Sequence, residues 1–286
     1  MSKRYVLGID IGGSGIKGAL VDLKKGEFAT DRLRIPTPSV STPANVASVV
    51  AQIVDHFAEE LGDGPVGITI PAVVTHGTTR SAANIDKSWI DAPAEQIFES
   101  VLGREIFLVN DADAAGVAEV QYGAAKGHPG LVLLTTLGTG IGTAIINRGV
   151  LVPNSELGHI EIDGVDAEPS TAASAREREN LSYEEWAPRL QKYYSRVEFL
   201  LWPDLIVVGG GVSKNADKFL PLLKLNTKIV PAQLRNAAGI IGAAWLAQDR
   251  ADHPDPLKGV DPTDVPAGDE VGKAAKKKHK HADDAS

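Results

Sequence analysis

The sequence predicts an internally duplicated α/β protein, two domains with a cleft between them. Three observations predict it. A strand, a glycine-rich turn and a second strand open the chain at residues 5–22, and the same pattern returns at 131–147. Each of these hairpins is followed by short apolar runs alternating with helical periodicity, the signature of sheets flanked by helices. An Asn-Asp pair, Asn110-Asp111, stands between the two glycine turns, at the end of one of the apolar runs.

Residues 5–10 and 17–22 read as strands joined by the first glycine turn, and 28–35 as a third strand that ends at Pro36, Pro38 and Pro43. From 44 to 61, Val46, Val49, Val50, Ile53, Val54, Phe57 and Leu61 recur at helical spacing, and Gly62 stops the run. Short buried strands follow at 66–70 and 106–109, with a helix over 94–102 between them. A helix from 111 to about 122 leads to strands 131–137 and 143–147 around the second glycine turn. A helix over 183–201, a strand at 205–208, the run Gly209-Gly210-Gly211 and an Ala-rich helix over 237–248 complete the pattern. The expected boundaries are a first domain of 1–110, completed by the helix near 237–250, and a second of 111–236. Residues 251–286 turn to Pro, Asp, Gly and Lys and end in KAAKKKHKH at 273–281, a composition expected to stay disordered.

The chain has 286 residues, enough for two modest domains, and carries 29 basic against 37 acidic residues. That balance argues against nucleic-acid or membrane-surface binding by the body of the protein. There is no cysteine, hence no disulfide framework and no thiolate metal site. The absence of a signal segment or a long apolar run points to the cytoplasm.

Gly13 to Gly18 spells GxGxxG after a strand, but a returning strand follows where a dinucleotide fingerprint needs a helix. Asp10, just before this turn, would repel a pyrophosphate unless a cation stood between them, so it is a candidate for organising Mg²⁺; capping loop amides is its other reading. Asp111 stands at a strand-to-helix junction, where α/β proteins place ligands. On position alone, helix cap and general base are even readings; the flanking phosphate turns favour the base. Glu156, Gly158, His159 and Glu161 fall in a stretch of strand-like alternation, 156–162, which suits sugar hydroxyls or a surface strand edge. Asn84 to Trp89 offers polar groups and an aromatic for the same ligand. The triple glycine admits a phosphate, a base or a tight turn.

Taken together, GIDIGGSGIKGAL at 8–20, SAANIDKSW at 81–89, VNDADAAGVAE at 109–119, TTLGTGIGTA at 135–144, ELGHIEI at 156–162 and VVGGGVSK at 207–214 resemble the ROK family of sugar kinases, in its polyphosphate-using branch. The resemblance implies an actin-like, ribonuclease-H-like fold with glucose in the cleft, polyphosphate and also ATP as donor, Mg²⁺ as cofactor and a homodimer. It implies Asp111 as catalytic base and Asn84, Asn110, Glu156, His159 and Glu168 as sugar-binding positions. Gly12, Gly13, Ser14, Gly15 and Lys17 of the first turn, Gly138, Thr139, Gly140 and Gly142 of the second, and Gly210 and Gly211 would hold the phosphoryl donor. The cysteine-rich zinc motif of many relatives is absent, so no zinc is expected. An ATP-dependent hexose kinase is the nearer alternative. A non-catalytic sugar-responsive regulator is the distant one, disfavoured because no DNA-binding segment precedes the first strand. A polyphosphate chain needs a row of cations, for which Lys214, Lys218 and Arg148 are candidates.

Overall fold

The computed structural model describes residues 5–82, 85–255, 257, 258, 260 and 264. Its first half runs β1 (Val6–Gly12), β2 (Gly15–Asp22), β3 (Glu27–Phe28), β4 (Leu33–Ile35), α1 (Pro43–His56), α2 (Ala58–Leu61), β5 (Val66–Ile70), β6 (Val74–Thr75), β7 (Thr78–Thr79), α3 (Ala94–Leu102) and β8 (Phe107–Asn110). α4 (Asp111–Gln121) then leads to β9 (Leu131–Leu137), β10 (Ile141–Asn147), β11 (Val150–Val152), β12 (Glu161–Ile162) and β13 (Val165–Asp166). α5 (Glu168–Thr171), α6 (Ala173–Arg178), α7 (Tyr183–Leu201), β14 (Leu205–Gly209), β15 (Lys228–Pro231) and α8 (Ala238–Asp252) complete the chain.

The two main sheets repeat one another. The first has the order β3-β2-β1-β5-β8 with β4 also on β2, and the second β11-β10-β9-β14-β15. In each, an antiparallel hairpin (β1/β2, β9/β10) is extended by two parallel strands (β5 and β8, β14 and β15). The complete burial of β5 and β14 follows from helices covering both faces of such strands. This is the duplicated α/β architecture that the paired hairpins predict.

Three expected elements differ. The strand over 28–35 is two strands: Val21 pairs with Phe28 but Gly18 with Leu33, so two extra residues bulge out. Thr30 Oγ1 takes the Leu20 N–H (3.2 Å), which loosens the ladder there. The helix over 44–61 steps at Phe57, whose buried ring and N–H bond to Val54 O (3.2 Å) tighten the turn between α1 and α2. The stretch 156–162 is not one strand: a 3₁₀ turn spans Leu157–His159, because Gly158 packs directly on the Ile141 carbonyl, leaving no room for a side chain. The final helix reaches Asp252, and 273–281 lies outside the described residues.

α8 packs against β1, β5 and α4 together. The contact is backbone to backbone. A Cβ at Gly8 or Gly67 would overlap the carbonyls of Ile240 and Ala243, and one at Gly242 would overlap that of Ala114. Ala-rich sequence with glycines at these crossings is what lets a helix approach so closely.

Candidate active site

Both glycine turns and the head of α4 line one cleft of about 360 Å³. β8 is an apolar run that delivers Asn110 to the sheet edge, and Asn110 caps α4: its Oδ1 accepts from Ala112 N–H (2.8 Å) and Asp113 N–H (3.1 Å). Its Nδ2 donates to Ala72 O (3.2 Å). Asn110 is therefore the cap, and Asp111, as the first helical residue, is released from that duty. Asp111 Oδ1 accepts from Ala112 N–H (2.9 Å), which fixes the carboxylate at the cleft. Burial, then the charge of Asp10, pushes Asp111 up to about 6, outweighing the backbone hydrogen bond that lowers it.

On the opposite rim, Asp10 Oδ1 accepts from Thr69 Oγ1 (2.9 Å) and Oδ2 lies 3.4 Å from Lys17 Nζ. Asp10 offers hard oxygen beside two amide-lined turns, a donor set that suits Mg²⁺, which takes one or two carboxylates and completes its shell with phosphate and water. Among the described residues no three His, Asp or Glu side chains are grouped so as to hold a metal ion.

Glu156 enters the cleft from the loop before the 3₁₀ turn. Buried Thr143 holds that loop, donating through Oγ1 to Ser155 O (2.7 Å) and accepting from Leu157 N–H (3.1 Å). Burial raises Glu156, while His159 opposes the rise. Glu168 opens α5 and accepts from Ile141 N–H through Oε2 (2.7 Å), so one carboxylate both lines the cleft and braces the second glycine turn.

The cleft thus gathers Asp10, Gly12, Gly13, Asn110, Asp111, Gly138, Thr139, Gly140, Gly142, Glu156, Glu168 and Gly210 of the expected positions. Ser14, Gly15, Lys17 and Gly211 are not among its lining residues. Lys17 faces Asp10 across the β1/β2 ladder instead. His159 sits outside the lining, its exposed ring bound through Nδ1 to Asp166 Oδ2 (2.9 Å) and its pKa raised chiefly by that bond. Asn84 lies outside the described residues. Arg148 is at the far end of the β10 hairpin, roughly 20 Å of strand away from the glycine turn. Lys214 and Lys218 lie on the segment Gly211–Lys218, which is 3₁₀ and breaks between them at Asn215.

Sequence reasoning missed a clasp beneath the site. Asn154 pairs its amide with the Val74 backbone, accepting from N–H (2.9 Å) and donating to the carbonyl (2.7 Å). Its own N–H donates to Asp113 Oδ2 (2.8 Å), so the Glu156 loop, β6 and α4 are joined at one residue. Asn154 has φ +62°, a conformation asparagine tolerates, and the Pro153-Asn154-Ser155 turn is the signal that could have marked it. Burial pushes Asp113 up to about 7.

Comparison with known proteins agrees with this geometry. The sequence model of the ROK family matches residues 6–175. The polyphosphate glucokinase of Mycobacterium tuberculosis is 48% identical over 247 residues, covering 86% of this chain and 92% of that protein. The inorganic polyphosphate/ATP-glucomannokinase of Arthrobacter sp. strain KM superposes with a TM-score of 0.82 at 52% identity, covering 86% of this chain and 99% of that one. A ROK family glucokinase from Streptomyces griseus, solved with glucose and AMPPNP, shares the fold with a TM-score of 0.74 at 24% identity, over 86% of this chain and 99% of its own. With its paired sheets, its two glycine turns and more than half its length matched, this chain belongs to the ROK family.

Proposed function

We propose that this protein transfers the terminal phosphoryl group of inorganic polyphosphate to the 6-hydroxyl of glucose, giving glucose 6-phosphate. The observation that carries the reading is the Asp111 carboxylate, held at the head of α4 in a cleft bounded by both glycine turns. The bond from O6 to phosphorus forms as the bridging P–O bond breaks, and Asp111 takes the hydroxyl proton. Amides of the turns at 12–13 and 138–142 stabilise charge on the moving phosphoryl group. Mg²⁺, held by Asp10 and the phosphates, would neutralise charge on the donor.

Glucose hydroxyls are assigned to Glu156 and Glu168, with His159 at the mouth and Asn84 as a further partner; Asn110 acts by setting the start of α4. Replacement Glu156→Gln is expected to raise the KM for glucose at least tenfold, the scale of one charged hydrogen bond, with a smaller change in kcat. An unchanged glucose KM would remove Glu156 from the sugar site.

The same reading divides the chain into residues 1–110, completed by α8, and 111–236, closing on the sugar to exclude water. A homodimer is supported by the exposed Phe199, Leu200 and Trp202 at the end of α7. A cytoplasmic location follows from the same function; among the described residues no helix is long and apolar enough to cross a membrane. ATP is the second donor of the reading, as the name of the Arthrobacter relative supports.

The test is glucose 6-phosphate formation by the purified protein with glucose and Mg²⁺, given either polyphosphate free of nucleotide or ATP. Turnover with polyphosphate is expected. Turnover with ATP alone would withdraw the donor assignment, and none with either would favour a regulator.

A further inference from the structure

We propose that Asn154 is a positioning residue that holds the two walls of the sugar site in register, so that the Glu156 loop and the loop that begins at Ser81 meet glucose as one unit. The inference rests on the glucose reading above and names what fixes the sugar groups relative to one another across the two sheets.

The two walls come from distant parts of the chain. Glu156 lies in the loop that follows β11 of the second sheet, and Ser81 lies in the segment between β5 and β8 of the first; both line the cleft. Asn154, two residues before Glu156, crosses between them. Its side-chain amide meets the Val74 main chain as a neighbouring strand would, accepting the N–H (2.9 Å) and donating to the carbonyl (2.7 Å). From Val74 the line of bonds runs one residue back. The Val73 N–H donates to Ser81 Oγ (2.9 Å), and the Val73 carbonyl accepts from Arg80 N–H (2.8 Å). Val74 also pairs with Thr79 in the β6/β7 hairpin, so Asn154 grips a braced element. On its other side, the Asn154 N–H is held by Asp113 Oδ2 (2.8 Å), two residues beyond Asp111 on α4. Glu156, the Ser81 loop and the helix that carries Asp111 therefore share one anchor.

Two details favour positioning over turn-making alone. Glycine satisfies a φ of +62° as well as asparagine does, but it has no amide with which to reach Val74. The bonds of the clasp end on Val74 and Asp113 and, through Val73, on Arg80 and Ser81, none of them in a glycine turn. The clasp thus bears on the sugar and not on the phosphoryl donor.

The experiment measures kcat and the KM for glucose and for polyphosphate in full-length Asn154→Gly, Ser81→Ala and the double variant, with thermal unfolding of each to show that folded protein is assayed. Asn154→Gly keeps the backbone conformation and removes only the two bonds to Val74. It is expected to raise the glucose KM about tenfold, the scale of two neutral hydrogen bonds, with the polyphosphate KM within about twofold of the wild type and kcat less affected. Ser81→Ala should raise the glucose KM in the same direction. In the double variant the rise should fall short of the product of the two single effects, because either change breaks the same line of bonds. An unchanged glucose KM in Asn154→Gly, or an equal rise for both substrates, would overturn the proposal, and so would single effects that multiply in full. A wild type that does not phosphorylate glucose would instead remove the reading beneath it, before any variant is made.

Discussion

Asp111→Asn is expected to bind glucose as the wild type does and to lose about 10³-fold in kcat, the scale of general-base catalysis. The amide keeps the shape of the carboxylate and its acceptor for Ala112 N–H, but it cannot take a proton. Glucose 6-phosphate formation and glucose binding, measured on the same preparation, separate the two; turnover within tenfold of the wild type would remove Asp111 from the proton transfer. The pH dependence follows from the same group. With Asp111 pushed up to about 6, kcat/KM should fall tenfold per pH unit below that point, and the variant should lack this limb. Stability should move the other way. The folded state binds the Asp111 proton more tightly than the unfolded chain, so this group favours folding at low pH and the advantage is lost as pH rises from about 4 through 6. At neutral pH the ionised carboxylate, desolvated and facing Asp10, weighs against the fold. Asp111→Asn should therefore be more stable than the wild type at pH 7.5, by on the order of 2 kcal/mol, and the gain should vanish near pH 4.

What the sequence made legible was local. A glycine turn between two apolar strands fixes a hairpin by itself, so β1/β2 and β9/β10 could be read directly, and their recurrence carried the duplicated sheets. Asn110-Asp111 followed from an apolar run meeting a helical one. The rest depends on partners distant in the chain. Glu168 braces Ile141 across 27 residues and Asn154 clasps Val74 across 80, and neither spacing leaves a periodic trace. Arg148 erred in the opposite sense. It follows the second turn closely in sequence, yet seven extended residues carry it to the other end of the hairpin. The departures at Thr30 and Phe57 are side chains competing with regular backbone bonds, which propensity does not register.

The second large effect is expected far from the cleft, at Gly242. α8 lies between the first sheet and α4, and its closeness is limited by backbone atoms rather than by side chains that could turn aside. A methyl group at Gly242 would overlap the Ala114 carbonyl, which belongs to the first turn of the helix that begins at Asp111. The two helices must part. Overpacking against rigid backbone should cost about 3 kcal/mol, lowering Tm by on the order of 10 °C in a chain of this size, although alanine improves helix propensity. The displacement should also reach the chemistry, because α4 carries Asp111 and the neighbouring Gly239 of α8 lies against Asp10. A shift of about 1 Å in a catalytic group costs roughly 10²-fold in rate. Gly242→Ala should thus unfold earlier and turn over about 10²-fold more slowly even in its folded fraction, with Asp111 and every cleft residue intact. Thermal unfolding and kcat below the transition test the two parts separately. Wild-type values for both would mean that α8 and α4 can separate freely, and that the helix closing the first sheet does not set the position of the Asp111 carboxylate.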